Sequence, residues 1–492
     1  MRYVSTRNSS LHVTAPEAIV MGLSRDGGLY LPETIPALTA ADLNALAKMD
    51  YPHRAAWVMK QYLEEFSEEE LLDYASKAYG SDKFDTSAVA PVCTLEGTHV
   101  LELWHGPTCA FKDMALQMLP YLLTASLRKT GEERTVCILV ATSGDTGKAA
   151  LEGFRDVPQS KILVFYPENG VSDIQKLQMV TQEGENVAVC AVVGNFDDAQ
   201  NGVKAIFSDE TMRTQLAERG QFLSSANSIN WGRVLPQLVY YISAYCDLLG
   251  SGALQPGEAM NICVPTGNFG NILAAYYAKR MGLPVNKLIC ASNANNVLTE
   301  FLSTGTYDRN RPFHTTTSPS MDILISSNLE RMLYLTCGDD AQVRGYMSAL
   351  AQTGRYTVSD EIFAALRENF DCGCCDDAGT AVAIKAVYDR TGYVMDPHTA
   401  VAWSVLEDYR VRTGDTTPTV LASTASPFKF CDSVLGALGV SEQREGVAIL
   451  DQLTEVTGLT APQPLLRLRD KAVRFDRVSE KEAMPQTVLE ML

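Results

Sequence analysis

Six short apolar runs constrain this chain more than any other feature of its sequence. They are Thr135–Thr142 (TVCILVAT), Lys161–Tyr166 (KILVFY), Val187–Val193, Asn261–Pro265, Leu288–Ala291 and Thr419–Ala422. Each is strand-length and lacks the polar alternation of a half-exposed strand. A strand apolar on both faces must be covered on both sides, the condition of a parallel sheet flanked by helices. Residues Thr146–Arg155 read as a helix between the first two runs, and parallel neighbours need such a crossover. The rhythm, recurring from about Leu95 onward, predicts one or two open α/β sheets. At about 150 residues per domain, 492 residues suggest about three structural units.

The first ~90 residues read differently. A Gly/Pro-rich entry, GLSRDGGLYLPETIP, precedes stretches at Ala40–Lys48 and Glu68–Tyr79 whose apolar residues recur at helical spacing. A mostly helical N-terminal unit is expected there. From about Glu442 the chain reads as helix-rich packing material without an interpretable motif.

The chain carries 41 basic and 59 acidic residues, a formal charge of −18. Such a surface repels phosphate backbones and anionic lipid, so nucleic acid and membrane surfaces are not expected partners. It leaves room for one local cationic pocket. Met1–Gly22 has no signal-peptide hydrophobic run and is not an Arg-rich, acid-poor transit sequence. No apolar stretch approaches the ~18 residues needed to span a bilayer. The 12 cysteines are scattered, mostly in apolar runs (Cys137, Cys190, Cys263, Cys290), where a thiol acts as a small core side chain. A cytoplasmic, reduced protein is the expectation. Cys372, Cys374 and Cys375, in DCGCCDD, read as free thiols of an acidic surface loop. No second C-x-x-C lies nearby and the six histidines lack zinc spacing, so no metal is expected.

In open α/β sheets, ligands bind beyond the carboxyl ends of the strands, which directs attention to three loops. SGDTG, Ser143–Gly147, follows the first strand. Its hydroxyls (Ser143, Thr146) and helix-terminal amides can hold a carboxylate or phosphate, or simply cap an ordinary turn. Ala149 stands where a magnesium-nucleotide loop needs Ser or Thr. PTGNFGN, Pro265–Asn271, lets consecutive amides converge on a phosphate without help from a lysine. It too could be only a turn. HGPTCAFKDMALQ, His105–Gln117, places Lys112 among apolar neighbours ahead of a helix expected to run to about Lys129, capped by Gly131. Burial lowers a lysine's pKa and makes a nucleophilic amine; the bland alternative is a snorkelling lysine paired with Asp113. His105 and Cys109 read as packing residues. A reactive lysine, an anion loop and a phosphate cradle together are the parts of a pyridoxal-phosphate site.

Eight motifs in order, GLSRDGGLYLP, HGPTCAFKDMALQ, ATSGDTGKAALEGF, FDDAQNGVK, NSINWGR, VPTGNFGN, DPHTAVA and STASPFKF, resemble those of the longer, bacterial and fungal threonine synthases. The resemblance covers nearly the whole chain. It implies a tryptophan-synthase-β-like, fold type II α/β architecture with two open lobes and a mostly helical N-terminal domain. Residues 1–90 would form that N-terminal domain and 91–492 the catalytic region, with a smaller lobe at about 131–226 and the larger lobe from the remainder. It implies pyridoxal 5′-phosphate as cofactor, O-phospho-L-homoserine as substrate, and a carbon–oxygen lyase yielding L-threonine and phosphate. By resemblance, Lys112 bonds the cofactor aldehyde and moves protons. Gly267, Asn268, Phe269, Gly270 and Asn271 bind the cofactor phosphate. Thr424 partners the pyridine nitrogen, and Asp145 stands near the 3′-oxygen, where many relatives carry Asn. Ser143, Gly144 and Thr146 match positions for the substrate carboxylate; Asn227, Ser228 and Arg233 match positions for its phosphate. By resemblance, a monomer or weak homo-oligomer is expected.

Two positions depart from the family pattern. Ser426 replaces a histidine near the cofactor ring. Lys148 follows SGDTG where small residues are common, either adding positive potential to the anion loop or lying on a solvated helix face. The alternatives to a threonine synthase are a phospholyase that releases a keto acid from the same substrate, and a catalytically silent regulatory relative.

Overall fold

The computed structural model describes residues 1–492, the side chain of Asp197 excepted. The expected apolar runs form strands in two sheets. One has five parallel strands in the order Val478–Ser479, Val187–Val192, Ser160–Pro167, Thr135–Ala141, Gln221–Ser224. The other has six, in the order Phe370–Cys374, Val285–Ser292, Met260–Pro265, Thr419–Ser423, Thr98–Glu102, Val92–Leu95. Only the last pair is antiparallel. It turns through Glu96 and Gly97, both at positive φ (47° and 78°), as a two-residue hairpin loop of matching twist requires. The central strands are buried on both faces, which explains their uninterrupted apolar sequence. The chain end returns to the five-stranded sheet through Val478–Ser479, a strand too short to be read from periodicity.

The N-terminal unit has four helices: Ala15–Met21, Ala40–Leu46, Tyr51–Lys60 and Glu68–Ala78. Three open with capping boxes, Thr14/Glu17, Thr39/Asp42 and Ser67/Glu70, which satisfy amide donors the first helical turn leaves orphaned. It also holds a three-stranded antiparallel sheet of Tyr3–Ser5, Asn8–Val13 and Tyr30–Pro32, which the sequence reading did not include. The N-terminal unit and the six-stranded sheet meet at the 20-residue helix Trp231–Gly250, of which 17 residues are buried. A helix apolar all round belongs inside a large core.

One expected helix divides in two. The helix following Lys112 runs Asp113–Leu116, breaks, and resumes as Leu119–Thr130 before Gly131 in the left-handed conformation. Pro120 lacks the N–H that would bond back to Leu116, and its ring crowds that carbonyl. No helix among the described residues is long and apolar enough to cross a membrane.

Candidate active site

The loops singled out above lie against one another through a chain of contacts. Segment 109–111 is pinned to the residues just beyond the Thr419–Ser423 strand: the Phe111 amide donates to the Thr424 carbonyl at 2.8 Å, and the Ser426 amide to the Cys109 carbonyl at 3.0 Å. Ala110 and Ala425 form an isolated antiparallel bridge between them. This places Lys112, at the start of its short helix, beside Thr424. The Lys112 ammonium lies 4.2 Å from the centre of the Phe111 ring. It makes no ion pair among the described residues. Asp113 is not its partner; that carboxylate turns inward to the Thr108 amide (2.8 Å) and hydroxyl (2.7 Å). Burial, with the Arg233 charge adding to it and Asp145 opposing, lowers the Lys112 pKa to about 7. The side chain keeps partial solvent contact although packed deep in the protein, as befits a group at the floor of a cleft. A neutral amine near pH 7 is the nucleophilic form.

Asp145 is almost wholly buried and forms a 2.8 Å ion pair with Lys429, which is fully buried. Gln175 Nε2 donates to the same carboxylate at 2.9 Å and the Ser320 hydroxyl at 3.2 Å. Burial works against the charge, yet Lys429 outweighs it and the Asp145 pKa falls to about 2. Lys429 Nζ also donates to the Thr108 carbonyl at 2.9 Å, joining this pair to the Lys112 segment. The Ser320 amide donates to His398 Nε2 at 3.2 Å, and His398 Nδ1 lies 2.7 Å from Asp396. That pattern fixes the tautomer with the proton on Nδ1. Gly144, at φ +131°, leaves a space in which a Cβ would lie 2.4 Å from the Gln175 side chain. The Thr146 and Thr424 hydroxyls have no protein partner among the described residues. Ser143 Oγ reaches only the Pro319 carbonyl, at 3.5 Å.

The PTGNFGN loop links the Met260–Pro265 strand to the helix Gly270–Met281. Its carbonyls are engaged: Gly267 accepts from the Ser326 hydroxyl (2.8 Å), and Asn268 from the Asn328 amide and side chain (each 3.1 Å). None of the five consecutive amides Gly267–Asn271 donates to a protein acceptor among the described residues. Five unspent donors at a helix N-terminus, with Phe269 in the left-handed conformation (φ 62°), make an anion cradle. The loop packs so closely on the neighbouring turn that a Cβ on Gly267 would lie 2.6 Å from the Ser320 carbonyl oxygen. Beside it, a Cβ on Gly270 would approach Ser228 at 3.5 Å, bringing NSINWGR to the cradle.

Arg233, in the first turn of the Trp231–Gly250 helix, is 2 % exposed and has no carboxylate partner among the described residues. Its guanidinium donates to the Ala226 carbonyl, while Nε is buried and unpaired. Asn227 Oδ1 is likewise buried and unpaired. Burial lowers the Arg233 pKa to about 10. An uncompensated buried cation is costly, and a bound anion is the ordinary compensation.

Several residues of this site escaped the sequence reading. Lys429 and His398 lie inside the STASPFKF and DPHTAVA motifs without a local signal of their role, and Gln175, Ser320 and Arg331 lie in none of the motifs. Arg331 is fully buried and donates to the Tyr30 carbonyl at 2.9 Å and to the Asn328 side chain, tying the N-terminal unit to the cradle. Ser426 accepts from the Phe428 amide at 3.3 Å and so caps the Pro427–Lys429 turn that aims Lys429. Lys148 neither serves the anion loop nor faces solvent. It is buried and pairs with Glu152 at 3.0 Å and with Gln182. Burial and local charge push the Cys372 and Cys375 thiols up, away from reactive thiolates. His105 lies between Asp85 (2.6 Å) and Glu102 (2.8 Å), its pKa raised to about 9 by those carboxylates against the burial that would lower it.

Three family models match in succession: threonine synthase N terminus at residues 2–79, pyridoxal-phosphate dependent enzyme at 99–423, and threonine synthase C-terminal at 399–488. The chain is 40% identical over 437 residues to threonine synthase from Pseudomonas aeruginosa, covering 88% of this chain and 90% of that one. It is 41% identical over 441 residues to human threonine synthase-like 1, and spans 58% of the length of that relative. The crystal structure of pyridoxal-phosphate-bound threonine synthase from Brucella melitensis superposes with a TM-score of 0.87 at 38% identity, covering 100% of this chain and 99% of that one. The yeast enzyme's structure gives 0.87 at 34% identity.

Proposed function

Because this chain belongs to the threonine synthase family of pyridoxal-phosphate-dependent enzymes, we propose that it converts O-phospho-L-homoserine and water to L-threonine and phosphate. The observation that carries the substrate assignment is Arg233: a buried guanidinium with an unpaired Nε and no carboxylate partner among the described residues, near Lys112. A phosphate monoester supplies the missing charge and the acceptors for Arg233, and Ser228 donates beside it.

The chain's residues fit a phosphate-bearing pyridine aldehyde. Gly267, Asn268, Phe269, Gly270 and Asn271 offer five unspent amides to its phosphate, the Thr424 hydroxyl is free for its ring nitrogen, and Lys112, with its pKa lowered to about 7, offers an amine to its aldehyde. The cofactor, when bound, supplies the ring that takes up the electron pair left as substrate C–H bonds break. The protein does the rest. Lys112 Nζ would take the Cα proton and later return one. Ser143, Gly144 and Thr146 bind the substrate carboxylate and thereby orient Cα toward Lys112. Asp145, held ionised by Lys429, fixes a negative charge near the aldehyde end. Arg233, Asn227 and Ser228 hold the phosphate while it leaves. A neutral hydroxyl at Thr424 leaves the ring nitrogen unprotonated, which tempers electron withdrawal.

The test is product analysis with O-phosphohomoserine: threonine and phosphate in equal amounts support the reading, whereas 2-oxobutyrate as the main product makes the protein a phospholyase. Two variants probe the assignments. Arg233→Ala should lower kcat/KM for O-phosphohomoserine on the order of 10²-fold, the value of two charge-assisted hydrogen bonds, with cofactor absorbance kept. An equal loss toward an unphosphorylated amino acid would remove Arg233 from the phosphate site. Gly267→Ala forces a Cβ against a backbone oxygen, which cannot swing aside as a side chain can. Visible-absorbance titration should show cofactor affinity reduced at least about tenfold, and unchanged affinity would place the phosphate elsewhere.

A further inference from the structure

A second cavity, of about 670 Å³, opens where the N-terminal unit, the five-stranded lobe and the C-terminal segment meet. Its walls include Pro107 and Gln117, near the two ends of the segment that carries Lys112, but not Lys112 itself. Six cations and three carboxylates line it, in a chain whose net charge is −18. Two of the carboxylates are already engaged. Glu152 takes Lys148 at 3.0 Å and Arg155 at 3.4 Å, and Glu183 takes Lys471 at 3.3 Å. Three cations remain without a carboxylate among the described residues: Lys83, Arg128 and Arg467. Each comes from a different part of the chain. Arg128 donates to the Tyr74 hydroxyl at 3.3 Å, and the Lys83 ammonium lies 5.5 Å from the centre of the Tyr121 ring. Asp82, adjacent to Lys83, is the cavity's remaining carboxylate and has no ion-pair partner among the described residues.

We propose that this cavity binds a small polyanion of the polyphosphate class. Three cations without a carboxylate partner, from separate elements lining one cavity, suit a ligand with more than one anionic group. The volume lies within the range of small-molecule sites and exceeds what a single phosphate fills. Low-dielectric walls focus the local positive potential despite the acidic surface. The Tyr74 and Tyr121 rings stack at 5.9 Å and stiffen the wall bearing Arg128 and Lys83. Lys83 is half-buried, and burial lowers its pKa, an effect that an anion in the cavity opposes. The site is separate from the Arg233 pocket and independent of the reaction proposed above.

The test is titration of the holoenzyme with pyrophosphate by calorimetry, in three forms: native, Arg233→Ala, and Lys83→Met/Arg467→Met. Binding by the native protein, retained in Arg233→Ala and weakened at least tenfold in the double variant with unchanged cofactor absorbance, is the expected result. Should the Lys83 substitution impair folding, Arg128→Met/Arg467→Met carries the same expectation, since both side chains are exposed. Absence of binding to the native protein at millimolar pyrophosphate overturns the proposal. So does binding that Arg233→Ala abolishes and the double variants keep, which would return the anion to the active site.

Discussion

Lys112→Ala should give a folded protein that has lost at least about 10³-fold of its threonine-forming activity, the range expected when a positioned acid–base group is removed. The folded state should survive because Lys112 contributes little to it. Its ammonium makes no ion pair and only lies over Phe111, while the short helix after it is held by Asp113 and its Thr108 contacts. Removing a desolvated, unpaired amine relieves a burial cost instead of adding one. Thermal unfolding of the apo form should therefore match the native apo form or exceed it. Borohydride treatment followed by peptide mass analysis supplies a readout that a structural role would not move. The native protein should retain the cofactor mass on the Lys112 peptide, and the variant should retain none. Activity within tenfold of native, or trapping at another lysine, would remove Lys112 from its role.

The parts of the fold visible in the sequence are those set by short-range pattern. Strands such as Thr135–Ala141 and Met260–Pro265 announce themselves because double-sided burial forbids polar alternation. Glycine-rich loops at their carboxyl ends are visible because few residues other than glycine permit such close backbone approach. The hidden parts depend on pairing at a distance. Lys429 and Asp145 are 284 positions apart, and a lysine after an aromatic residue looks like any surface lysine until its partner is known. The same holds for Arg331, whose acceptors are the Tyr30, Ser228 and Ile229 carbonyls and the Asn328 side chain. Asp113 misleads in the opposite sense: adjacency suggests an ion pair with Lys112, whereas neighbouring helical side chains diverge by about 100° and seldom face each other. The break at Gln117–Met118 was marked by Pro120 all along, but the strong apolar helix pattern on both sides concealed it.

Lys429→Met should destabilise the holoenzyme by about 3–5 kcal/mol, because it strands the Asp145 carboxylate in a site nearly closed to water. Gln175 and Ser320 still donate to that carboxylate, but neutral donors do not replace a full charge at 2.8 Å. The pH dependence distinguishes this account from simple loss of packing. In the native protein Asp145 is held at about 2, below its unfolded value near ~3.9, so its contribution is present above about pH 4 and lost as pH falls through about 2. In Lys429→Met the partner is gone and burial, the largest influence on Asp145, outweighs the remaining neutral donors, so the carboxylate's folded pKa rises above its unfolded value. Its effect then reverses sign: the variant is penalised at neutral pH and recovers relative to native as acid protonates Asp145. The melting-temperature gap between the two should therefore narrow on acidification toward pH 4–5. Asp145→Asn in the Lys429→Met background should close most of the gap at pH 7, because no charge is left to strand, whereas Asp145→Asn alone leaves Lys429 buried without a counter-ion and should be nearly as damaging as Lys429→Met. A gap independent of pH, or single substitutions whose effects simply add, would mean that the buried pair is not the unit that holds the Thr108 segment, and with it Lys112, in place.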